Sequence, residues 1–499
     1  MKKIDRKMLP LMILSLLGAG IIVALIIIII SIVRSDSYTG TSSGKSGTAA
    51  SETAEPGNSG TAPGSAETDS GANPGSTSPG GNGYTGTEVA EIQGDKSFSG
   101  GSGHGSDSGD DSEDDEYINN DSKLVYLKEN VRGYKYAWFE ESPNDLTRTT
   151  YFSSEIYWDW YYMMDADYQT YADFDEGIHI HLANEKTIQG IWIIFNYGPG
   201  EWNLTAGGST QTCGQRGIIH EYVPLDSPSR TADLYFYDYV SICDIFVIGE
   251  GELPRWVQNW QMLDGQADMM VFPTHSDDEE IFFGGVLPTY AGQQDLKVQV
   301  AYMVYHDQPR PHELLNGLWT CGVKYYPYIG PCYDVYADDL EDALSIYDYD
   351  ELLFREVWLL RQYKPSVIVC HDEAGEYGHG AHILYTYSME EAVYLANDDT
   401  YGDESLELYG TWDVPKMYIH LYSENQLVMD WHQPLSAFDG MTALEVATRG
   451  YDYHFSQHEW NFRVLEEGYG DCRLFGLYRS TVGPDVQGND MMENIEVRR

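Results

Sequence analysis

The run Asp268-Met269-Met270-Val271-Phe272-Pro273-Thr274-His275-Ser276-Asp277-Asp278-Glu279 decides the fold of the C-terminal half. Its first five residues read as a buried strand, and a helical pattern begins near Glu279. A later stretch repeats the plan. Ser366-Val367-Ile368-Val369-Cys370 reads as a strand, and His371-Asp372-Glu373-Ala374-Gly375-Glu376-Tyr377-Gly378-His379-Gly380-Ala381-His382 leads into a helix. In an open α/β sheet, ligands bind at the carboxyl ends of the strands. Both polar segments therefore fall where an active site is expected. Together they supply the imidazoles and carboxylates of an open-coordination zinc site with its own general base.

Outward from these segments, residues 261–499 alternate strand and helix. Strands are expected at 296–305, 366–370 and 416–422, and helices at 310–322, 350–363 and 380–396. That alternation predicts an α/β Rossmann-like domain with a mostly parallel sheet. Residues 121–260 read differently. Short apolar runs at 177–182, 190–195, 232–237 and 243–248 are separated by Gly, Pro, Asn and Asp, which predicts an all-β sandwich or jelly roll. The closing phrase at 245–258, with Gly249-Glu250-Gly251-Glu252-Leu253-Pro254, resembles the last strand of galactose-binding-like (discoidin-type) modules. That resemblance implies a carbohydrate-binding or accessory module; the alternative is a packing partner without a ligand.

Residues 34–120 are mostly Ser, Gly, Thr, Pro and acidic residues, the composition of a disordered stalk. Residues 8–33 carry no charge. A helix of that length would span roughly 39 Å, more than the ~30 Å hydrocarbon core. Lys2, Lys3, Arg6 and Lys7 precede it, so residues 1–7 are expected in the cytoplasm and the rest outside. A cleaved signal peptide is the alternative, but the run is long and no clear small-x-small site follows. An anchor and stalk of this kind fit a bacterial cell surface.

The formal charge of −50 argues against binding nucleic acid. The 40 tyrosines and 12 tryptophans suit sugar-stacking surfaces or a β-rich core. Of the six cysteines, Cys213 with Cys243 and Cys321 with Cys332 are close enough in sequence to pair; buried free thiols are the alternative.

In the first segment, His275 and Asp278 could ligate one metal and leave Asp277 as a base. A capping box from Ser276 to Glu279 would explain the polar residues without a metal, but not His275. In the second, His379 and His382 stand three apart at a helix start, and Gly375, Gly378 and Gly380 allow a close backbone turn.

Together the segments resemble the PIG-L/LmbE-like de-N-acetylases, zinc hydrolases that remove acetyl groups from N-acetylglucosamine-type sugars. The matches are His275-Ser276-Asp277-Asp278-Glu279, Gly375-Glu376-Tyr377-Gly378-His379-Gly380-Ala381-His382 and Tyr453-His454-Phe455-Ser456-Gln457. The resemblance covers about residues 265–499. It implies zinc, or another divalent ion, on His275, Asp278 and His382. It implies Asp277 as general base, and His379 as oxyanion stabiliser or proton donor to the leaving amine. His454 is a candidate to contact the substrate or to support the residues that do, and Glu376 is a candidate substrate contact. Two positions depart from the family pattern. Ser276 replaces a proline, and Gly380-Ala381 replaces a Pro-Asp pair. His179, His181, His220, His306 and His312 match no motif and read as core or surface residues.

The expectation is therefore a membrane-anchored, extracytoplasmic zinc amidohydrolase removing N-acetyl groups from a surface glycan or glycolipid. The rivals are a non-catalytic glycan-binding protein and a metal-dependent esterase or phosphoesterase.

Overall fold

The computed structural model describes residues 117–118, 142–154, 160–402 and 404–497. The expected cytoplasmic segment and anchor, and nearly all of the expected stalk, lie outside the described residues. Among the described residues no helix is long and apolar enough to cross a membrane.

The first part is antiparallel β: β1 (Tyr117–Ile118), β2 (Tyr151–Ser154), β3 (Ala172–Phe174), β4 (Ile178–Phe195), β5 (Trp202–Ala206), β6 (Ser209–Cys213), β7 (His220–Phe236) and β8 (Val240–Gly249). The strand order is β1-β2-β4-β7-β5-β6, with β8 joining β4 to β3. The runs expected as separate strands at 177–182 and 190–195 are two halves of β4, which is 18 residues long. A register shift between Ala183 and Ile188 takes Glu185 and Lys186 out of the pairing without ending the strand. The first half alternates buried and half-buried residues, whereas Ile191 to Phe195 are buried on both faces. Trp192, Phe246 and Trp256 fill the second face.

The second part contains β9 (Met269–Val271), α1 (Asp278–Ile281), β10 (Val298–Tyr305), α2 (Arg310–Thr320), β11 (Tyr328–Tyr333), α3 (Leu340–Ile346), α4 (Tyr349–Tyr363), β12 (Val367–Cys370), α5 (Gly380–Leu395), α6 (Glu404–Tyr409), β13 (Lys416–His420), β14 (Gln426–Val428), α7 (Ala443–Tyr451) and β15 (Leu474–Ser480). The sheet order is β11-β10-β9-β12-β13-β15-β14. The first five strands are parallel; β15 runs antiparallel to β13, and β14 runs antiparallel to β15. Alternate residues of each strand feed different cores. Met269 and Val271 pack with Leu314 and Val446 of α2 and α7, while Met270 and Phe272 pack with α4 and α5.

Local chemistry sets the helix ends. Asp348 caps α4 by accepting from Glu351 N, and Lys364, in a left-handed conformation before Pro365, ends it. Thr442 and Glu445 form a capping box on α7. The suggested disulfides are not formed: all six cysteines are free thiols. Cys243 Sγ is turned to Tyr168 O and Cys321 Sγ to Glu280 Oε1, so neither faces its proposed partner.

The two parts meet across α2. His220 Nδ1 bonds Gln258 Oε1 at 2.7 Å, and His220 Nε2 bonds His312 Nδ1 at 2.8 Å. Both imidazoles are fully buried. Burial pushes His220 down to about 4, against a smaller upward pull from Gln258, and holds His312 well below its usual value. These groups are neutral when folded and take up protons when unfolded. Their contribution to stability is complete above about pH 6.5 and is lost as pH falls toward 4. His220 alone accounts for roughly 3 kcal/mol of that loss. The melting temperature of the full chain is expected to fall between pH 6.5 and 4.5. His220→Gln should flatten that slope; an unchanged slope would contradict the assignment.

Candidate metal centre and catalytic cavity

The first strand of the parallel sheet, β9, lies between β10 and β12, so the chain direction across the sheet reverses between β9 and β12. Such a switch point leaves a crevice at the strand ends. The segment after β9 brings His275, Asp277 and Asp278 to it, and the segment after β12 brings His371, Glu376, His379 and His382.

Three side-chain atoms converge there. His275 Nδ1 is 3.2 Å from Asp278 Oδ2 and 3.0 Å from His382 Nε2, and His382 Nε2 is 3.3 Å from the same Asp278 oxygen. Donors held about 2.0–2.1 Å from a tetrahedral zinc stand about 3.3–3.4 Å apart, so the triangle has the right size for a zinc-like ion. The outer nitrogens are already engaged. His275 Nε2 is 3.4 Å from Asp334 Oδ1, and His382 Nδ1 is 2.7 Å from Glu376 Oε2. Each imidazole can therefore donate outward and turn a lone pair inward. His371 also approaches Asp278, at 3.3 Å. Its Nε2 accepts from Thr274 N and its Nδ1 is bonded to Glu376, so it has no lone pair left for an ion.

The electrostatics favour positive charge at this point. Burial raises Asp278, but His382, His275 and His371 more than reverse it and hold the carboxyl well below its usual range. Burial lowers His382, but Asp278 and Glu376 more than reverse it and push the imidazole up to about 10. A pocket that binds a proton this firmly offers the same field to a divalent cation.

Asp277 occupies the N-cap position of α1 without a side-chain capping bond, and its φ of 128° is a strained value for a residue with a side chain. Burial pushes its carboxyl up to about 8, with Arg310 pulling it down and Asp278 pushing it up. Arg310 Nη2 lies 3.4 Å from Asp277 Oδ1 and donates to Ser276 O. The Ser276–Glu279 capping box is not formed. Ser276 Oγ is buried without a partner, and Glu279 Oε2 accepts from Asp277 N.

His379 is the N-cap of α5. Its Nδ1 accepts from Ala381 N at 3.2 Å, which leaves the ring proton on Nε2. Burial, then His275 and His382, push this imidazole down to about 3, so it is neutral at ordinary pH.

Both departures from the family pattern have a local reason. Ser276 N donates to His306 Nε2, and Gly380 N donates to Ala337 O; proline could make neither bond. A Cβ on Gly380 would also sit 2.0 Å from Asp339 O. The close approach there seats the loop that carries Asp334 and Tyr336.

A cavity of about 550 Å³ opens over the cluster. His275, Asp277, Asp278, Arg310, Asp334 and His379 form its polar floor, and Tyr336, Tyr377, Trp460 and Phe462 form aromatic walls. Glu376 and His454, expected at the substrate, are not among its lining residues. The Glu376 carboxylate is fully buried and bonded to His371, His382 and His420. His454 is fully buried with Nε2 3.6 Å from Glu280.

Other residues at the site went unread. Asp334 joins His275, His306 and Arg310. Burial raises its carboxyl, and bonds from His275 and His306 more than reverse this, so it stays ionised. Its position just past a parallel strand, β11, was the available signal. Among the histidines given no role, His306 belongs to the site's edge, His220 and His312 to the contact across α2, and His179 and His181 share Asp233 on the antiparallel β part.

No protein-family model matches the chain. It is 27% identical over 256 residues to 1D-myo-inositol 2-acetamido-2-deoxy-alpha-D-glucopyranoside deacetylase 1 of Catenulispora acidiphila, covering 45% of this chain and 71% of that one. A deacetylase of the same description from Saccharopolyspora erythraea is 36% identical over 84 residues, 16% of this chain and 30% of its own length. Among solved structures, N,N'-diacetylchitobiose deacetylase from Pyrococcus horikoshii aligns at 16% identity with a TM-score of 0.31, covering 39% of this chain and 74% of that one. The curated relatives that this chain resembles are deacetylases of an acetamido sugar.

Proposed function

We propose that this chain is a metal-dependent de-N-acetylase of N-acetylglucosamine-type sugars. The observation that carries the reading is the convergence of His275, Asp278 and His382 beside Asp277 in one cavity. The likeness to named deacetylases supports the same chemistry.

His275, Asp278 and His382 would hold the ion. A divalent cation there supplies a Lewis acid for the amide carbonyl and makes an adjacent water easier to deprotonate. A cation beside it would favour the ionised form of Asp277, in which it takes the proton from the attacking water. The neutral His379 donates its Nε2–H to the oxygen that gains negative charge as the carbonyl carbon becomes tetrahedral. A neutral imidazole is a weak acid, so Asp277 returns its proton to the leaving nitrogen. The C–N bond breaks, giving acetate and a sugar amine. Arg310 keeps Asp277 oriented, and the aromatic walls offer stacking faces to the sugar.

We further propose that residues 8–33 anchor the chain in a membrane and that residues 34–120 hold the rest outside the cell. The uncharged run and its basic flank support this reading. An enzyme on such a tether would meet surface-attached glycans at raised effective concentration.

The test is to incubate the zinc-loaded full chain with N-acetylglucosamine oligomers, an O-acetylated sugar and a sugar phosphate. Acetate from the amide substrate, with a matching amine, is the expected result. Phosphate release, or acetate from the ester alone, would overturn the reading.

A further inference from the structure

Helix α2 and the residue pair before it carry two rows of polar groups. His312, Asn316 and Trp319 recur at helical spacing on one side of α2, and Gln308 lies just before the helix. Each is bonded to the antiparallel β part or to the segment that leaves it. Gln308 Nε2 donates to Asn196 O. His312 bonds His220 at 2.8 Å, and Asn316 Oδ1 accepts from Gln258 Nε2 at 2.7 Å. Trp319 Nε1 donates to Arg255 O at 2.7 Å. His220, Gln258, His312 and Asn316 are all fully buried.

The second row faces the catalytic cavity and the elements behind it. Arg310 meets Asp277 and Asp334. Glu313 accepts from Ser456 N and Ser456 Oγ at 3.0 and 2.6 Å, next to Gln457 of the cavity wall. At Gly317 a Cβ would lie 2.8 Å from Glu280 Oε1, so the helix is pressed against α1.

A module carried only to bind a distant ligand needs no such contact. Contacts between independently moving domains resemble transient interfaces, whereas here His220, Gln258, His312 and Asn316 are fully buried and joined by directional bonds. Sliding α2 along its axis would leave buried donors without acceptors. We propose that the antiparallel β part is a positioning part of the active site: through His220 and Gln258 it fixes α2 and so holds Arg310 against Asp277 and Asp334. The inference rests on the cavity assigned under Proposed function.

The test uses the full chain with His220→Ala and Gln258→Ala, each alone and combined with Arg310→Ala. Leu204→Ala, buried in β5, is the comparator. Acetate release should show kcat about tenfold lower in His220→Ala and in Gln258→Ala, with KM little changed. The loss should vanish in the Arg310→Ala background. Amide exchange across residues 274–281 and 306–313 should quicken in both variants. Leu204→Ala should lower the melting temperature and leave kcat and that exchange unchanged. Unchanged kcat, or the same fold loss without Arg310, would overturn the proposal. Gln258→Ala carries the test if His220→Ala does not fold. If the wild type releases no acetate from any substrate, the deacetylase reading fails and the exchange measurement alone decides: no change there overturns the proposal.

Discussion

Asp277→Asn is expected to lower turnover by about 10²–10⁴-fold while the cation remains bound. Asparagine keeps the shape of the side chain, and the backbone N–H of Asp277 that bonds Glu279 is unchanged by it. What disappears is the ability to accept a proton from water and return it to nitrogen. His379 cannot substitute. Its Nδ1 is held by Ala381 N, and its neutral ring is a hydrogen-bond donor rather than an acid. The direct check is single-turnover acetate release alongside zinc content per chain. Retained zinc with turnover within a few-fold of wild type would remove Asp277 from the role of base.

Glu376→Gln is expected to weaken zinc binding by about 10–100-fold. One carboxylate here serves three buried imidazoles. Glu376 Oε1 bonds His371 at 2.8 Å and His420 at 3.2 Å, while Oε2 bonds His382 at 2.7 Å. Burial raises this carboxyl, and the three histidines reverse it and hold it well below its usual range. An amide lacks the charge and brings donors toward imidazole N–H groups. The site then loses both the orientation of His382 and part of its field. Breaking a buried charged network by removing one member also costs stability, on the order of 3–5 kcal/mol. Calorimetric zinc titration and thermal melting of the apo chain measure the two effects separately. A variant with wild-type affinity and melting temperature would show that Glu376 is only a bystander.

Much of this architecture is legible in the chain because the two polar segments each end an apolar run of strand length. Val271 and Val369 sit in register on neighbouring parallel strands, which is why His275 and His382 meet although they are far apart in sequence. The site's supports are harder to see. Asp334 reaches His275 only because β11 is the outermost strand on one side and its following loop folds back onto Gly380. Glu376 reads as a substrate contact until its left-handed backbone, at φ 53°, turns it inward to the histidines. β4 shows the same limit. Glu185 and Lys186 look like a turn, yet a register shift absorbs them while the strand continues. The contact between His220 and His312 depends on how two parts of the chain pack, which no local pattern encodes.

The most direct test is acetate release from N-acetylglucosamine oligomers by the full chain, stripped of metal and titrated with zinc, with His382→Ala in parallel. The account predicts no release from the apo chain, release that rises to a maximum near one zinc per chain, and none from His382→Ala at any zinc level. Release that is independent of zinc, or that survives in His382→Ala, would contradict it.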